Sequence, residues 1–272
     1  MKEINVKVLG TVAPYCFQDK NCPGFLIEYN GFKYLLDCGN GITRYMNLKD
    51  DLDNLKILIS HLHPDHYGDL ISIIQTAKVY KRLGYLDKDI DIYIPSSDTV
   101  EVFEDERDKD GWATKRTVKK HIIDYDIIHN YETNNPVSII DYDEINIKDN
   151  DLEIISQRVS HDLFTYAFRI NTPSGSIAYS GDTGTENNLR TFVKDVNLFI
   201  CEATYLKGQY RNQNTHLYAH EAAEIAKDAD VEKLLLTHFW PEIDKGEYVK
   251  EAKQVFKNVE AAEENKVYTL KR

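Results

Sequence analysis

The amino-acid sequence predicts an α/β fold built on mixed sheets. Two observations carry this: strands come first in hairpins, and later they alternate with helical stretches. A third observation, histidines and aspartates crowded into loops directly after apolar runs, predicts where the chemistry sits. At 272 residues the chain can bury a sizeable core. It has no repeats, no low-complexity segment and no Pro/Gly-rich linker, so residues 1–272 are read as a single domain.

The elements follow in order. "MKEINVKVLG" reads as a strand rather than a signal peptide, because no apolar stretch follows the lysine. "FLIEYNGFKYLLDCG" (25–39) is two apolar runs around Asn30-Gly31, a strong hairpin signal. "LKILIS" (55–60) is a compact strand. Beyond it Leu70, Ile73, Ile74, Ala77, Tyr80 and Leu83 fall at helical spacing. "DIDIYIP" and "DLEIISQRVS" read as strands, and "YAFRINTPSGSIAYSGDT" as a hairpin around Pro173-Ser174-Gly175. "VNLFICEATY" is a buried strand, "HEAAEIAKDA" a helix and "KLLLTHF" a strand. Residues 246–265 are expected to form a last amphipathic helix before the terminal strand "KVYTL". The stretch 101–120 is polar on all sides and reads as a solvated helix or loop; because it carries Trp112, a lid or dimer contact is the alternative.

Composition narrows the function. The chain is 42% hydrophobic and 29% charged, without a membrane-spanning run or a disordered bias, so a soluble cytoplasmic protein is expected. Cys16, Cys22, Cys38 and Cys201 lack zinc-ribbon spacing and read as reduced thiols. The net charge of −12 and the lack of a basic stripe argue against a grip on long nucleic acid. A small anionic substrate held by metal ions remains compatible.

"SHLHPDHYGDL" (60–70) directly follows a strand. In an extended stretch His61 and His63 can converge on one metal ion, and a turn through Pro64 would bring Asp65 and His66 round to a second. Imidazole and carboxylate ligands suit zinc, with manganese or iron as alternatives. Each ion needs further ligands, and His161, Asp182 and His238 each follow another strand-like run. A histidine in such a place can be a hydrogen-bonded core residue, the reading taken for His121 and His129. For all of these at once a dinuclear metal site is the better account.

This constellation resembles the metallo-β-lactamase superfamily, whose αββα sandwich binds metals at one edge of two sheets. "LLDCGNG" (35–41) is similar to that family's aspartate turn and "YSGDTG" (179–184) to its bridging-aspartate motif. The resemblance implies His61, His63 and His161 on the first metal and Asp65, His66 and His238 on the second. It implies Asp182 bridging both, and Asp37 orienting the cluster from behind. Two divalent ions per chain follow, Zn2+ with Mn2+ as alternative, and a reaction class of metal-assisted hydrolysis.

Within the superfamily the chain resembles the ribonuclease Z-like branch. True β-lactamases place a cysteine in the second site, and glyoxalase-II-like thioesterases carry a "TPGHT"-type turn where "RVSHDLF" stands here. The branch features are "CEATY" (201–205) and "THLYAHEAAEIAKDADVEKLLLTHF" (215–239). By that resemblance His216 protonates the leaving oxygen, and it is the catalytic candidate together with Asp65; Leu217-Tyr218 replaces the usual serine/threonine pair. Ribonuclease Z proteins carry a tRNA-clamping arm between the third histidine and the bridging aspartate. Here His161 and Asp182 are 21 positions apart with one hairpin between them, so the arm is absent. The chain is similar instead to armless cyclic-nucleotide phosphodiesterases of the anti-Pycsar type, found in phages and bacteria. That implies a homodimer hydrolysing 3′,5′-cyclic CMP, UMP, AMP and GMP, in the host cytoplasm where phage-encoded. Tyr205, Phe239 and Trp240 are candidates for an aromatic wall against the base, or for core packing. The competing readings are tRNA 3′-processing and a non-catalytic nucleotide-binding protein.

Overall fold

A computed structural model describes residues 2–271 apart from 98, 108, 109, 111, 112, 134, 186, 212 and 213. Trp112 therefore lies outside the described residues. The chain lays down two seven-stranded sheets in succession. Strands β1 (Glu3–Gly10), β2 (Gly24–Tyr29) and β3 (Phe32–Leu36) form an antiparallel meander. Then β4 (Leu55–Leu58) and β5 (Ile90–Pro95) add in parallel. The chain next makes a separate two-stranded hairpin, β6 (Thr99–Arg107) with β7 (Ala113–His121), before β8 (Val137–Tyr142) completes the parallel run.

The second sheet repeats this plan. Strands β9 (Asn146–Asp149), β10 (Leu152–Val159), β11 (Thr165–Thr172) and β12 (Gly175–Tyr179) are antiparallel; β13 (Leu198–Glu202), β14 (Lys233–Thr237) and β15 (Val259–Ala261) follow in parallel. Strand β16 (Val267–Lys271) crosses back to pair with β1.

Helices α1 (Leu48–Asp51), α2 (Pro64–Tyr67), α3 (Leu70–Leu83) and α4 (Ile123–Asn130) belong to the first half; α5 (Asn187–Phe192), α6 (Ala219–Asp228) and α7 (Lys245–Ala252) to the second. Three apolar layers hold the sandwich. Ile73, Ile74 and Ala77 of α3 pack on Leu35, Ile57 and Ile92. Tyr34, Leu36, Phe168 and Tyr179 fill the space between the sheets. Ala222 and Ala226 of α6 pack on Phe199, Leu234 and Leu236. Strands buried on both faces read as continuous apolar runs: in "KLLLT", Leu235 faces the other sheet while Leu234 and Leu236 face α6. Burying each such side chain stabilises by about 1.5–3 kcal/mol. This is the expected αββα sandwich with mixed sheets.

Asn30 (φ 52°) and Gly31 (φ 84°) make the expected hairpin turn, both in the positive-φ conformation that matches strand twist. Helix α3 spans the expected residues and ends at Gly84, φ 74°. Two expectations change. Residues 246–265 hold only α7; Val259 instead pairs in parallel with Leu234, so sheet extension overrides the helical pattern. Of the polar stretch 101–120, residues 101–107 lie in β6 and 113–120 in β7, and the register sets Glu101, Glu104 and Asp105 opposite Lys119, Arg116 and Lys115. A strand polar on both faces carries no alternating apolar signal. No helix among the described residues is long and apolar enough to cross a membrane.

Candidate metal centre

The seven ligand candidates meet at one rim, where strands end. His61, His63, Asp65 and His66 follow β4; His161 follows β10; Asp182 follows β12; His238 follows β14. The carboxyl ends of parallel strands with their loops are where α/β folds build sites.

The side chains form two groups. His61 Nε2 lies 2.9 Å from His63 Nδ1, and His161 Nε2 lies 3.2 Å from that same atom. His66 Nε2 lies 3.4 Å from His238 Nε2, with Asp65 Oδ2 at 3.5 and 3.6 Å from the two. Asp182 stands between the groups: Oδ2 is 3.6 Å from His61 Nε2 and 3.4 Å from His66 Nε2, and Oδ1 is 3.0 Å from His238 Nε2. Tetrahedral zinc with bonds of about 2.0–2.1 Å spaces its donors by about 3.3 Å. Both groups fit that spacing, and all the donor atoms within each lie within 4.8 Å of one another.

Most of the remaining ring nitrogens are occupied, which fixes the tautomers. His161 Nδ1 donates to the Thr215 carbonyl at 3.0 Å, and His66 Nδ1 donates to Asp37 Oδ2 at 2.7 Å. His61 Nδ1 lies 3.1 Å from Ser60 Oγ, and His238 Nδ1 lies 2.8 Å from Thr204 Oγ1. Nε2 of His61, His66, His161 and His238 therefore faces the groups, whereas His63 turns Nδ1 inward, and these inward atoms are the ones a metal ion would take. Buried Asp182 Oδ1 has no hydrogen-bond partner. An ionised oxygen stranded in this way is costly unless a cation takes it.

Electrostatics point the same way. Burial, reinforced by His66, pushes the His61 imidazole well below its usual range, and burial with His161 lowers His63. Both rings are thereby kept neutral, the form a metal ligand needs. Burial also opposes charge on His238, but Asp182 outweighs it and raises this imidazole to about 10, so a proton competes with a cation for its Nε2. Asp37, Asp65, Asp182 and Glu202 are all buried around the cluster. This pool of negative charge favours bound cations.

Asp37 is buried beside His66 of the cluster. It accepts from Ser60 N (2.7 Å), Ser60 Oγ (2.8 Å), His66 Nδ1 and Tyr179 OH (2.6 Å). Both Asp37 (φ 57°) and His238 (φ 63°) hold positive φ, a cost of about 1–3 kcal/mol that recurs at functional sites. Gly39 is needed for contact: a Cβ there would stand 2.3 Å from the Asp65 carbonyl oxygen.

His216 stacks on His238 with centroids 5.3 Å apart, and its Nδ1 lies 3.9 Å from Asp182 Oδ2. The same Nδ1 donates to Glu202 Oε1 at 2.9 Å. Burial disfavours charge on His216, yet Glu202 outweighs it and raises its pKa. Arg211 donates to the His216 carbonyl at 2.8 Å and pairs with Glu221 at the start of α6, fixing the loop. His220 is tied to Glu251 of α7 at 2.7 Å.

Glu202, Thr204 and Asp162 were not among the sequence-derived candidates. Glu202 Oε2 accepts from Thr204 Oγ1 at 2.8 Å, and this hydroxyl faces His238 Nδ1, so one carboxylate orders two histidines. "CEATY" holds both residues, and its acid at a strand end was the available signal. Asp162 Oδ1 lies 2.9 Å from His161 Nε2.

The aromatic candidates part company. Tyr205 stands beside His216, centroids 6.3 Å apart. Phe239 is 2% exposed and packs on Tyr248, so it belongs to the core, its alternative reading. Trp240 lines a different cavity with Thr11, Lys20 and Glu264, which none of the ligand candidates lines.

The model of the Beta-lactamase superfamily domain matches residues 33–239, which include every ligand candidate. The chain belongs to the metallo-β-lactamase superfamily. Among superfamily relatives, a ribonuclease Z of Saccharolobus solfataricus is 28% identical, the match covering 93% of this chain and 94% of that one. Two solved structures share the fold. The metallo-β-lactamase fold protein YhfI from Bacillus subtilis has a TM-score of 0.82 at 23% identity, covering 98% and 99% of the two chains. A diphosphatase of the PhnP family has a TM-score of 0.70 at 14% identity, covering 99% of each. Membership accounts for the paired His/Asp clusters, which fit a dinuclear metal site in a superfamily hydrolase.

Proposed function

We propose that the protein is a dinuclear-metal phosphodiesterase that hydrolyses 3′,5′-cyclic nucleotides to nucleoside 5′-monophosphates. The observation that carries this is the Glu202–His216 pair set 3.9 Å from Asp182, between two complete ligand groups. His61, His63 and His161 would hold one ion and Asp65, His66 and His238 the other, with Asp182 shared. Zinc suits the donor set, and manganese is the alternative. When bound, the ions supply a more acidic water and offset the charge growing on the phosphate.

The chain's own residues then have definite tasks. Glu202 keeps the proton on His216 Nδ1 and stabilises the imidazolium, so Nε2 can deliver a proton to the leaving oxygen. Asp65, buried against His66 and His238, orients the water's attack from its place in the second group. Asp37 and Thr204 hold His66 and His238 in the required tautomers.

A small substrate is favoured because only the β11–β12 hairpin separates His161 from Asp182, leaving no arm to clamp tRNA. The net charge of −12 disfavours a long polyanion. The proposed setting is a homodimer that removes cyclic-nucleotide antiviral signals of the Pycsar type. The likeness to a ribonuclease Z favours a second reading, tRNA 3′-processing. A panel of cyclic CMP, UMP, AMP and GMP with Mn2+ or Zn2+, beside a precursor tRNA, tests both. Loss of the cyclic nucleotides, abolished in Asp182→Ala, is the expected result. Cleavage of the tRNA alone would replace this reading with the second, and no turnover with two ions bound would leave a non-catalytic binding protein.

A further inference from the structure

A cavity of about 340 Å³ adjoins the ligand cluster. Its lining includes His161 and Asp162 of the centre, Arg158 and Phe164, and Thr99 and Lys119 of the β6–β7 hairpin. It lies at the small end of ligand-binding cavities, roughly 300–1,000 Å³. The Arg158 guanidinium lies 3.8 Å over the centroid of the Phe164 ring. Arg158 is exposed and Phe164 half-buried, so the outer guanidinium face is open.

The chemistry of this lining is mixed. Arg158 and Lys119 donate, Asp162 accepts, Thr99 can do either, and the guanidinium–phenyl stack is flat. A nucleobase presents a π face together with an edge of alternating donors and acceptors, and such bases stack on aromatic and guanidinium planes. A second phosphate would meet the Asp162 carboxylate. We propose that this cavity binds the nucleobase of the substrate, Lys119 and Asp162 reading its polar edge and the Arg158–Phe164 stack carrying its face. The inference rests on the nucleotide reading of the metal centre. It moves the base away from the aromatic wall expected at Tyr205, Phe239 and Trp240, and gives the β6–β7 hairpin a part in substrate binding.

The test uses the metal-loaded protein and its Arg158→Met and Phe164→Ala variants. Calorimetry compares binding of cytidine and adenosine 5′-monophosphates with ribose 5-phosphate, which lacks the base; turnover compares cyclic nucleotides with bis(p-nitrophenyl) phosphate. The wild type should bind the nucleotides at least tenfold tighter than ribose 5-phosphate, about 1.4 kcal/mol. Each variant should lose most of that preference at unchanged metal content, and lose more on cyclic nucleotides than on the generic diester. If the wild type shows no preference over ribose 5-phosphate, or both variants keep it, the cavity assignment is overturned. If the preference is present and depends on Arg158 while cyclic nucleotides are not cleaved, the cavity stands and the cyclic-phosphodiesterase reading fails.

Discussion

Glu202→Gln is the most informative single substitution. Glu202 is 1% exposed, and its oxygens accept from five donors: Thr183 N, His216 Nδ1, Thr204 N, Thr204 Oγ1 and Leu217 N. A carboxamide keeps the shape but has one acceptor oxygen. Its NH2 group fits best toward His216, where it strands the Thr183 N–H and forces the His216 proton from Nδ1 to Nε2. One stranded buried donor costs about 1–3 kcal/mol and one lost charge-assisted bond about 1.5–3. The total, about 2.5–6 kcal/mol, brackets the usual cost of breaking a buried charged pair, about 3–5 kcal/mol. For a domain of this size that lowers Tm by roughly 6–20 °C. Turnover should fall about 10²–10⁴-fold, the contribution of a positioned general acid. Burial alone would raise the Glu202 carboxyl, but His216 outweighs it and holds its pKa below the ordinary 4.5. Its stabilisation is therefore present above pH 4.5 and lost as pH falls through the lower folded value. Thermal melts from pH 4 to 8 and steady-state kinetics would measure both effects. A Tm within 2 °C of wild type together with turnover within threefold would refute the role given to Glu202.

Three further outcomes are expected. Gly39→Ala places a methyl 2.3 Å from the Asp65 carbonyl and 2.7 Å from that of Pro23; metal content should fall with stability, and a fully loaded variant melting like wild type would contradict the packing. Tyr179→Phe removes one of the four donors to Asp37, so zinc affinity should weaken about tenfold in a competition titration. Burial raises the Glu264 carboxyl above 4.5 against its bonds from Asn21 N and Thr11 Oγ1. Stability from that shift is present below pH 4.5 and lost as pH rises through the folded value; Glu264→Gln should remove this loss, and parallel pH–Tm curves would count against it.

The convergence of the ligand candidates was legible because each is a histidine or aspartate at the end of an apolar run, and strand ends converge in α/β folds whatever the loops do. The Asn30-Gly31 turn and helix α3 were legible for the same kind of reason, since local φ preference and 3.6-residue spacing act over neighbours along the chain. The last helix was misjudged because Val259 finds a partner in Leu234, a contact made across 25 residues of chain.

The sequence by itself therefore determined the sandwich class and a set of histidines and aspartates that fit a dinuclear metal site. Only the tertiary structure decided how those residues are held. Glu202 holds His216 directly and His238 through Thr204 because β13 and β14 lie side by side, and Phe239 turns into the core one residue after a ligand candidate. The cavity beside His161 is assembled from the β6–β7 hairpin and the β10–β11 connection, whose lining residues Lys119 and Arg158 are 39 positions apart. Hydrogen bonds and cavities depend on distances between non-neighbours, and those distances exist only once the two sheets have packed.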